Sequence, residues 1–399
     1  MLKNKSVRSL QKPSEGTAVG RGYRIGVDAR QLSTQVSGIG RYNVEVLSRM
    51  VEMGHEWFLY SHRPLLLGDW DRPKVHVRTA GISHTYLRML WSQTVMPWWA
   101  RQDGLDLFWS PLHRLPLVMP PGLARVVTIH DLVWRHAGQT MRPLNRWLDQ
   151  SLMPQAVGTA DRVVAVSAST AADIEREMPF AAGRVRTIHL GAAELGEPGP
   201  RESLAELGLS GPYFLFVGTL EPRKNLGRLL DAWSRQPPGL GGGAVLAVAG
   251  GAGWGGVDVK AMVLRHGLEK RVRVLGFVSD QQLATLYAHA LFLAMPSLYE
   301  GFGLPLLEAT SRGVPVLTSD IASMPEVAGD AGLLVSPLDV NSIAKGLTQM
   351  LEDPKFRSEL ARRAVSNGQR FSWDRSARRT MEVFEEAIEA RGARGGRAP

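Results

Sequence analysis

The sequence predicts an α/β protein in which two doubly wound domains face each other across a cleft. With 399 residues, the chain is too long for one ordinary hydrophobic core. Short apolar runs alternate with helix-like stretches, a pattern that is typical of βα units and parallel sheets. A stretch rich in glycine and proline, 191–212, separates two groups of these runs, and we expect the domains to meet there.

Each apolar run is bounded by turn residues and is short enough to be one strand that is buried on both faces. The predicted strands of the first half are 23–27, 57–60, 75–78, 105–109, 126–129, 162–166 and 185–188, and those of the second half are 213–217, 244–249, 272–275, 291–294, 314–318 and 332–335. We therefore expect an N-terminal domain over 22–195 and a C-terminal domain over 196–374. The last helical pattern, 375–390, has no strand after it and is free to pack back on the first domain.

Charge and composition limit the possible partners. The formal net charge of +9 suits nucleic acid, anionic lipid or phosphate-bearing substrates, and charge alone does not choose among them. The absence of cysteine excludes disulfides, thiolate nucleophiles and cysteine-held zinc. Neither a secretory signal nor an apolar stretch of about 18 residues is visible, so we expect a cytoplasmic protein. Residues 1–21 and 391–399 are rich in small and basic residues, and we expect both to be disordered.

Two glutamates bracket the start of a predicted helix in the second half. Glu300 lies on the loop after a predicted strand, and Pro305 places the helix start so that Glu308 falls about one turn into the helix. Gly301 and Gly303 allow a tight backbone path and close approach by a ligand. A helix start binds phosphate through unpaired N–H groups, whereas carboxylates accept hydrogen bonds from sugar hydroxyls. The pair therefore indicates a nucleotide sugar, with ordinary helix capping as the alternative.

Two cations follow the predicted strand 213–217, just before a helix. Arg223 offers a two-pronged donor and Lys224 a point charge, so together they can neutralise a diphosphate. Fixed cations help most when charge builds on a departing diphosphate. Gly218, at the strand end, lets a phosphate approach the backbone. The alternative is a solvated surface pair.

The first half carries two further candidates at strand ends. The segment around Gly40 and Arg41 is a glycine loop that opens a helix, and such loops cradle phosphate. His130 and Asp131 follow the predicted strand 126–129, which places them at the cleft. A structural histidine is the alternative for His130.

The run from Glu300 to Glu308 resembles the E-x7-E signature of family 4 glycosyltransferases, which have the GT-B fold of two Rossmann-like domains. The same pattern continues in Gly313-Val314-Pro315-Val316, Ser319-Asp320, Pro325-Glu326-Val327 and Gly329-Asp330-Ala331. The resemblance covers about 213–352 strongly and 25–190 more weakly. It implies a retaining glycosyltransferase whose donor is a nucleotide-diphosphate sugar.

The resemblance also implies a role for each candidate residue. Glu300 would contact hydroxyls of the donor sugar, Glu308 the ribose, and His130 the sugar near the reacting carbon. Arg223 and Lys224 match the family's diphosphate-binding pair. The donor is expected against Gly40, Gly218, Arg223, Lys224, Val278, Glu300, Gly301, Phe302, Gly303, Leu304 and Glu308. The residues expected to act in catalysis are His130, Glu300, Arg223 and Lys224.

The motif contexts are most similar to bacterial mannosyl- and rhamnosyltransferases of polysaccharide and lipopolysaccharide synthesis. They imply transfer of a hexose onto a saccharide or polyprenyl-linked saccharide acceptor. The first choice for the hexose is mannose or a 6-deoxyhexose from a GDP donor. A UDP donor of the glucose type is the next alternative. We expect a front-face reaction without a cofactor or a metal, because Arg223 and Lys224 can take the metal's role. Asp69 and Asp71 match a metal-binding pair of the other large glycosyltransferase fold, but they lie far from the donor motifs.

Other interpretations stay open at this point. A nucleotide-sugar epimerase of GT-B fold would act on the donor without an acceptor. A nucleic-acid-binding module would use the positive charge, but no groove-reading or aromatic RNA motif is present, so we expect no nucleic acid. The stretch 86–102, with Trp91, Trp98 and Trp99, is either a core helix or a surface that docks on anionic lipid at the inner face of the cytoplasmic membrane. Phe277 and Val278 would pack on the nucleobase, or simply form a turn.

Overall fold

In the computed structural model, which describes residues 22–34, 38–253 and 255–395, two parallel sheets are built in turn along the chain. The first sheet consists of β1 (Arg24–Asp28), β2 (Glu56–Ser61), β3 (Val75–Thr79), β4 (Leu107–Ser110), β5 (Ala124–Ile129), β6 (Arg162–Ala165) and β7 (Val185–Thr187). The second consists of β8 (Tyr213–Val217), β9 (Val245–Ala249), β10 (Val272–Gly276), β11 (Leu293–Met295), β12 (Val316–Ser319) and β13 (Gly332–Val335). Their spatial orders are β3-β2-β1-β4-β5-β6-β7 and β10-β9-β8-β11-β12-β13.

Helices connect the strands and cover the sheets. Those of the first half are α1 (Gly38–Met50), α2 (Thr85–Gln102), α3 (Val133–His136), α4 (Pro143–Thr159) and α5 (Ala168–Glu177). The second half has α6 (Leu226–Ser234), α7 (Leu240–Gly243), α8 (Val259–Arg265), α9 (Asp280–His289), α10 (Leu304–Ser311), α11 (Met324–Ala328), α12 (Val340–Glu352), α13 (Pro354–Gly368) and α14 (Trp373–Gly395). Parallel strands with crossover helices on both faces confirm the predicted fold class of two doubly wound units.

The strand orders determine where ligands can bind. In each sheet the chain first adds strands towards one edge and then towards the other edge. This reversal of direction lies between β1 and β4 in the first sheet and between β8 and β11 in the second. Such reversals leave a crevice at the carboxyl ends of the strands, since the following helices go to opposite faces. The loops after β8 and β11 carry the predicted cations and glutamates, so they converge on one crevice.

One hydrophobic core spans both sheets, and each half also has a core cluster of its own. One cluster of buried apolar side chains contains Val27 of β1 and Leu293 of β11, and Phe302, Phe371 and Trp373 belong to it as well. Helix α14 supplies part of this link, since it packs on α1 and on β4, β5 and β6 of the first sheet. The halves are therefore held together by apolar packing beneath the crevice.

Helix α14 continues to Gly395, so the predicted disordered tail from 391 is wrong for 391–395. The physical reason is a buried carboxylate. Asp161 is fully buried, and Arg391 Nη2 lies 2.9 Å from its Oδ2 while Arg394 Nη1 lies 3.3 Å from its Oδ1. A buried charge needs such partners, and the helix is extended to bring them. Residues 1–21 and 396–399, also predicted to be disordered, lie outside the described residues.

Helix α2 contains Pro97 within its length. Trp91 is buried in the first half, whereas Trp98 is 55% exposed. Tyr86, Leu87 and Leu90 are also exposed at the start of this helix. Within the residues that the structure describes, we find no helix with the length and apolar character needed to cross a membrane.

Candidate functional site

A cavity of about 360 Å³ lies between the strand ends of the two sheets. Eleven of the predicted site residues line it, namely His130, Gly218, Arg223, Lys224, Val278, Glu300, Gly301, Phe302, Gly303, Leu304 and Glu308. Gly40 does not line the cavity, because it is buried within α1. Gly38 and Arg41 line the cavity instead, and they lie on one helix face because they are three residues apart. The prediction for Gly40 is corrected in favour of its neighbours.

Glu300 is the centre of the charged part of this cavity. Arg223 Nη1 donates to Glu300 Oε2 over 2.6 Å, and Lys224 Nζ lies 2.6 Å from Glu300 Oε1. Burial alone would raise the pKa of Glu300, but Arg223 and Lys224 outweigh burial and lower that pKa to about 2. Glu300 is therefore ionised at neutral pH and holds both cations in place.

The loop that carries the two cations is fixed by Asn225, which sequence reasoning missed. Asn225 has a φ of 62°, in the left-handed region that asparagine tolerates better than most residues. Its Nδ2 donates to the carbonyl oxygens of Pro296 and Pro337 over 2.8 and 2.7 Å. The loop after β8 is thus tied to the loop after β11. An asparagine directly before a predicted helix was the available signal.

Glu308 receives hydrogen bonds from both halves of the molecule. Tyr287 OH donates to its Oε2 over 3.0 Å, and Arg41 Nη1 reaches its Oε1 over 3.4 Å. Burial raises the pKa of Glu308 in spite of these donors. Arg41 Nη2 also donates to Asp280 Oδ1 over 3.0 Å, and this bond links α1 to α9. Neither Tyr287 nor Asp280 was predicted, because neither directly follows a strand.

Gly301 brings the loop after β11 against the first half. Its carbonyl oxygen accepts hydrogen bonds from Ser167 Oγ over 2.7 Å and from Thr170 Oγ1 over 3.2 Å, both at the start of α5. Tyr299, two residues earlier, donates its OH to Asp173 Oδ2 over 2.7 Å. The segment that joins the two glutamates is therefore held from the first half as well as the second.

His130 is a buried, neutral side chain at the end of β5. Its Nε2 lies 2.9 Å from the carbonyl oxygen of Pro111, and its backbone N donates to His113 Nε2 over 3.0 Å. Burial, and secondly the neighbouring His113, lower the pKa of His130 to about 4. If Nε2 carries the proton that bonds Pro111, Nδ1 is left as an acceptor. Such a group can orient a hydroxyl but carries no charge at neutral pH.

Glycines also bring two strand ends of the second sheet together. Gly218 has a φ of 146° and Gly250 a φ of 156°, and a Cβ at Gly250 would lie 2.0 Å from the carbonyl oxygen of Gly218. Gly250 and Gly251 line the cavity and were not predicted, although a glycine pair directly after a predicted strand was a usable signal. Phe277, beside Val278, is 84% exposed at the cavity edge.

A second cavity, of about 560 Å³, continues from the first over the end of the first sheet. Asp131 and Arg223 line both cavities, so the two meet at these side chains. The second cavity was not predicted as a site. Its lining includes Arg30, His62, Arg88, His113, Arg114 and Arg142. Arg30 and His62 each come just after a strand of the first sheet, which was the signal in the sequence.

The geometry suits a ligand that carries both phosphates and hydroxyls. Arg223, Lys224 and the amides before α10 supply positive charge and donors, while Glu308 supplies an acceptor. Two joined cavities allow a second molecule to reach the first one. In the ranges 22–34, 38–253 and 255–395 there is no group of three or more acidic or histidine side chains arranged to hold a metal ion.

Comparisons with known proteins agree with this geometry. The family model described as "Glycosyltransferase Family 4" matches residues 36–193, and the model described as "Glycosyl transferases group 1" matches residues 205–370. The first match includes β2 to β7 of the first sheet, and the second includes all strands of the second sheet.

Three similar proteins illustrate the relationship. O-antigen chain mannosyltransferase B of Escherichia coli is 34% identical over 295 residues, 72% of this chain and 76% of that protein. D-inositol 3-phosphate glycosyltransferase of Saccharomonospora viridis is 32% identical over 267 residues, 64% of this chain and 61% of its own length. The structure of Anabaena Alr3699/HepE in complex with UDP and glucose superposes with a TM-score of 0.69 at 20% identity, covering 92% of this chain and all of that one. This last likeness concerns the fold.

Proposed function

This chain belongs to the family 4 glycosyltransferases of GT-B fold, and on that premise we propose that it transfers mannose, or a related 6-deoxyhexose, from a GDP donor to a saccharide acceptor with retention of configuration. The observation that carries the proposal is the triad of Glu300, Arg223 and Lys224 in the crevice, with Glu308 in the same cavity. The named activity of the Escherichia coli relative, O-antigen chain mannosyl transfer, supports mannose as the sugar. A UDP donor is the alternative, which the HepE complex illustrates.

In the proposed complex each part of the donor has its own contacts. Arg223, Lys224 and the amides of Gly303 and Leu304 face the diphosphate. Glu308 accepts hydrogen bonds from the ribose, and the base lies near Val278 and the exposed Phe277. Glu300 and His130 face hydroxyls of the transferred sugar, His130 through its unprotonated nitrogen.

The proposed reaction takes place on one face of the sugar. The bond from the anomeric carbon to the diphosphate oxygen breaks, and its electron pair stays on the diphosphate. The acceptor hydroxyl attacks the same face, and its proton goes to the departing phosphate oxygen. Arg223 and Lys224 stabilise the charge on the leaving group, a role that preorganised cations in a cleft perform well. We propose that no metal is required, because these two cations supply the positive charge.

The acceptor is proposed to be a saccharide or a polyprenyl-linked saccharide in polysaccharide or lipopolysaccharide synthesis. A lipid-linked acceptor would bring the protein to the inner face of the cytoplasmic membrane. The exposed Tyr86, Leu87 and Leu90 of α2 support a peripheral contact of this kind.

A donor screen followed by product analysis tests the proposal. Thermal unfolding is measured with GDP-mannose, a GDP-6-deoxyhexose and UDP-glucose, with and without a chelator. The true donor raises the melting temperature, since it binds only the folded state. Nuclear magnetic resonance of the product then gives the anomeric configuration. An epimerase would alter the donor without acceptor, an inverting enzyme would give the opposite anomer, and loss of activity with chelator would contradict the metal-free mechanism.

A further inference from the structure

The second cavity is lined by several arginines, most of which lie outside the proposed donor site. Five arginines line it: Arg30, Arg88, Arg114, Arg142 and Arg223. Three of them have carboxylate partners, since Arg30 bonds Asp28, Arg114 bonds Asp149 and Arg223 bonds Glu221 and Glu300. Within the described residues, no ion pair is formed by the other two, which are Arg88 and Arg142. The cavity thus has two arginines whose charge is not compensated by protein groups.

Arg88 is surrounded by charge of its own sign. Burial, and then repulsion from Arg30, Arg63 and Arg114, lower its pKa. Like charges held near each other at a partly buried site destabilise a protein unless a counter-ion joins them. An anion bound at Arg88 would relieve this repulsion.

His62 is a second and independent sign of a ligand at this place. Its side chain is 3% exposed, lines the same cavity, and its Nδ1 has no hydrogen-bond partner in the described part of the chain. Buried polar atoms are nearly always satisfied, so an unpartnered one beside a cavity points to a missing polar group. Burial, followed by Arg88 and other cations, lowers the pKa of His62 to about 4. The ring is therefore neutral and can donate a hydrogen bond to an anion without adding charge.

We propose that this cavity is the acceptor site and that it binds a phosphate or diphosphate group of the acceptor at Arg88 and His62. This inference rests on the proposed function, because the acceptor must enter where the two cavities meet at Asp131 and Arg223. Arg88 forms no ion pair in the described part of the chain, and guanidinium groups bind phosphate oxygens in a fixed two-pronged geometry. A neutral sugar would leave Arg88 without a counter-ion. The acceptor is thus an anionic saccharide rather than a neutral one.

The phosphate could belong to a lipid-linked diphosphate or to a water-soluble sugar phosphate. On α2 the residues next to Arg88 are apolar and exposed: Tyr86 is 78%, Leu87 55% and Leu90 60% exposed. A hydrocarbon tail attached to the bound diphosphate would find apolar contacts there, whereas a soluble phosphate would leave them unused. Binding with and without a tail distinguishes the two sources.

Calorimetric titration of inorganic pyrophosphate tests the site, after the donor cavity has been saturated with the nucleoside diphosphate that the donor screen selects. We expect pyrophosphate to bind the nucleotide-saturated protein. The Arg88→Gln variant should bind it at least roughly tenfold more weakly, since one charge-assisted contact is lost. Arg101→Gln, which removes the same charge from the other end of α2, is the matched control and should bind pyrophosphate as the unaltered protein does.

A fold check and a second ligand complete the experiment. Arg88→Gln should melt no lower than the unaltered protein, because it removes a repulsion. If farnesyl diphosphate binds with an affinity roughly tenfold or more above that of pyrophosphate, the phosphate belongs to a lipid. If the two affinities are equal, the phosphate belongs to a soluble ester. Failure of pyrophosphate to bind beside the nucleotide, or equal binding by Arg88→Gln, would overturn the anion site. Failure of the nucleotide itself to bind would instead count against the proposed function.

Discussion

A Cβ atom at Gly301 would lie 1.6 Å from the carbonyl oxygen of His130. The backbones of the two halves therefore touch at the centre of the cleft, between the loop after β11 and the end of β5. No side chain fits there, and the reason is steric, since Gly218, Gly250 and Gly303 have positive φ but Gly301 does not. Glu300, its neighbour in the chain, lines the same cavity as His130.

Gly301→Ala should reduce transfer by about two orders of magnitude, because a displacement of about 1 Å at reacting groups has an effect of that size. The added methyl forces the two backbones apart, so a loss of stability of about 1–3 kcal/mol is also expected. Initial rates with donor and acceptor, together with urea unfolding, measure both effects. Gly211→Ala is the control, since a Cβ at Gly211 meets nothing within 4 Å. Equal activity of the two variants would contradict the steric argument.

Glu300→Gln should lower the free energy of unfolding by about 3 kcal/mol, because it leaves Arg223 and Lys224 buried with less compensation. Nucleotide diphosphate should restore part of this loss, since its phosphates replace the missing charge. Urea unfolding with and without nucleotide measures both. Glu221→Gln removes a more exposed partner that lies 2.9 Å from Arg223, and it should change stability by less than about 1 kcal/mol. If both variants lose the same stability, Glu300 does not have the structural role assigned to it.

The sequence was sufficient to predict the strands, and most of the predicted site residues line one cavity. Both depend on local rules, since an apolar run bounded by turns forms a buried strand, and residues after parallel strands converge at one edge. The predicted strand 213–217 coincides with β8, and Arg223, Lys224 and Glu300 meet as their positions after strands suggest. Gly40 was misplaced because a short glycine pattern does not say which helix face turns towards the ligand.

The parts that could not be predicted depend on contacts between distant segments. The second cavity combines Arg30, Arg88 and Asp131, which follow three different strands, and only the packed sheet brings them together. Arg41 reaches Glu308 across 267 residues. The end of α14 also depends on a distant contact, since Arg391 pairs with Asp161, which lies 230 residues earlier in the chain. Composition alone does not record this contact, and it therefore suggested disorder.

Removing residues 391–399 should destabilise the protein by about 3 kcal/mol, although their composition is that of a tail. Asp161 is fully buried and would lose both of its arginine ion pairs, so that the backbone N–H of Arg125, 3.0 Å from its Oδ2, would remain to compensate a buried charge. Urea unfolding of the shortened chain measures the loss. Removal of 396–399 alone keeps both arginines and serves as the control. Two shortened chains of equal stability would show that the pairs with Asp161 contribute little.

Glu308→Gln should raise the melting temperature of the ligand-free protein at neutral pH and weaken nucleotide binding. Burial raises the pKa of this carboxyl, so its ionised form is disfavoured in the folded state and a neutral amide relieves that cost. Tyr287 can still donate to the amide oxygen. Loss of a charged acceptor for the ribose should weaken binding roughly tenfold or more. A variant that melts lower and binds nucleotide normally would contradict both the pKa direction and the assigned contact.

Because His130 is buried in its neutral form, the protein should lose stability as the pH falls from 6.5 to about 4. Its pKa is lowered to about 4 by burial and by His113, so within this window the unfolded chain binds a proton that the folded protein does not. Stability therefore rises with pH across the window, and the full difference of about 2.5 pKa units corresponds to roughly 3 kcal/mol. His130→Gln keeps a donor for Pro111 and cannot titrate, so its unfolding free energy should depend less on pH in this range. His84→Gln, at an exposed site, should follow the unaltered protein. Parallel pH profiles for His130→Gln and the unaltered protein would show that His130 is not buried in its neutral form.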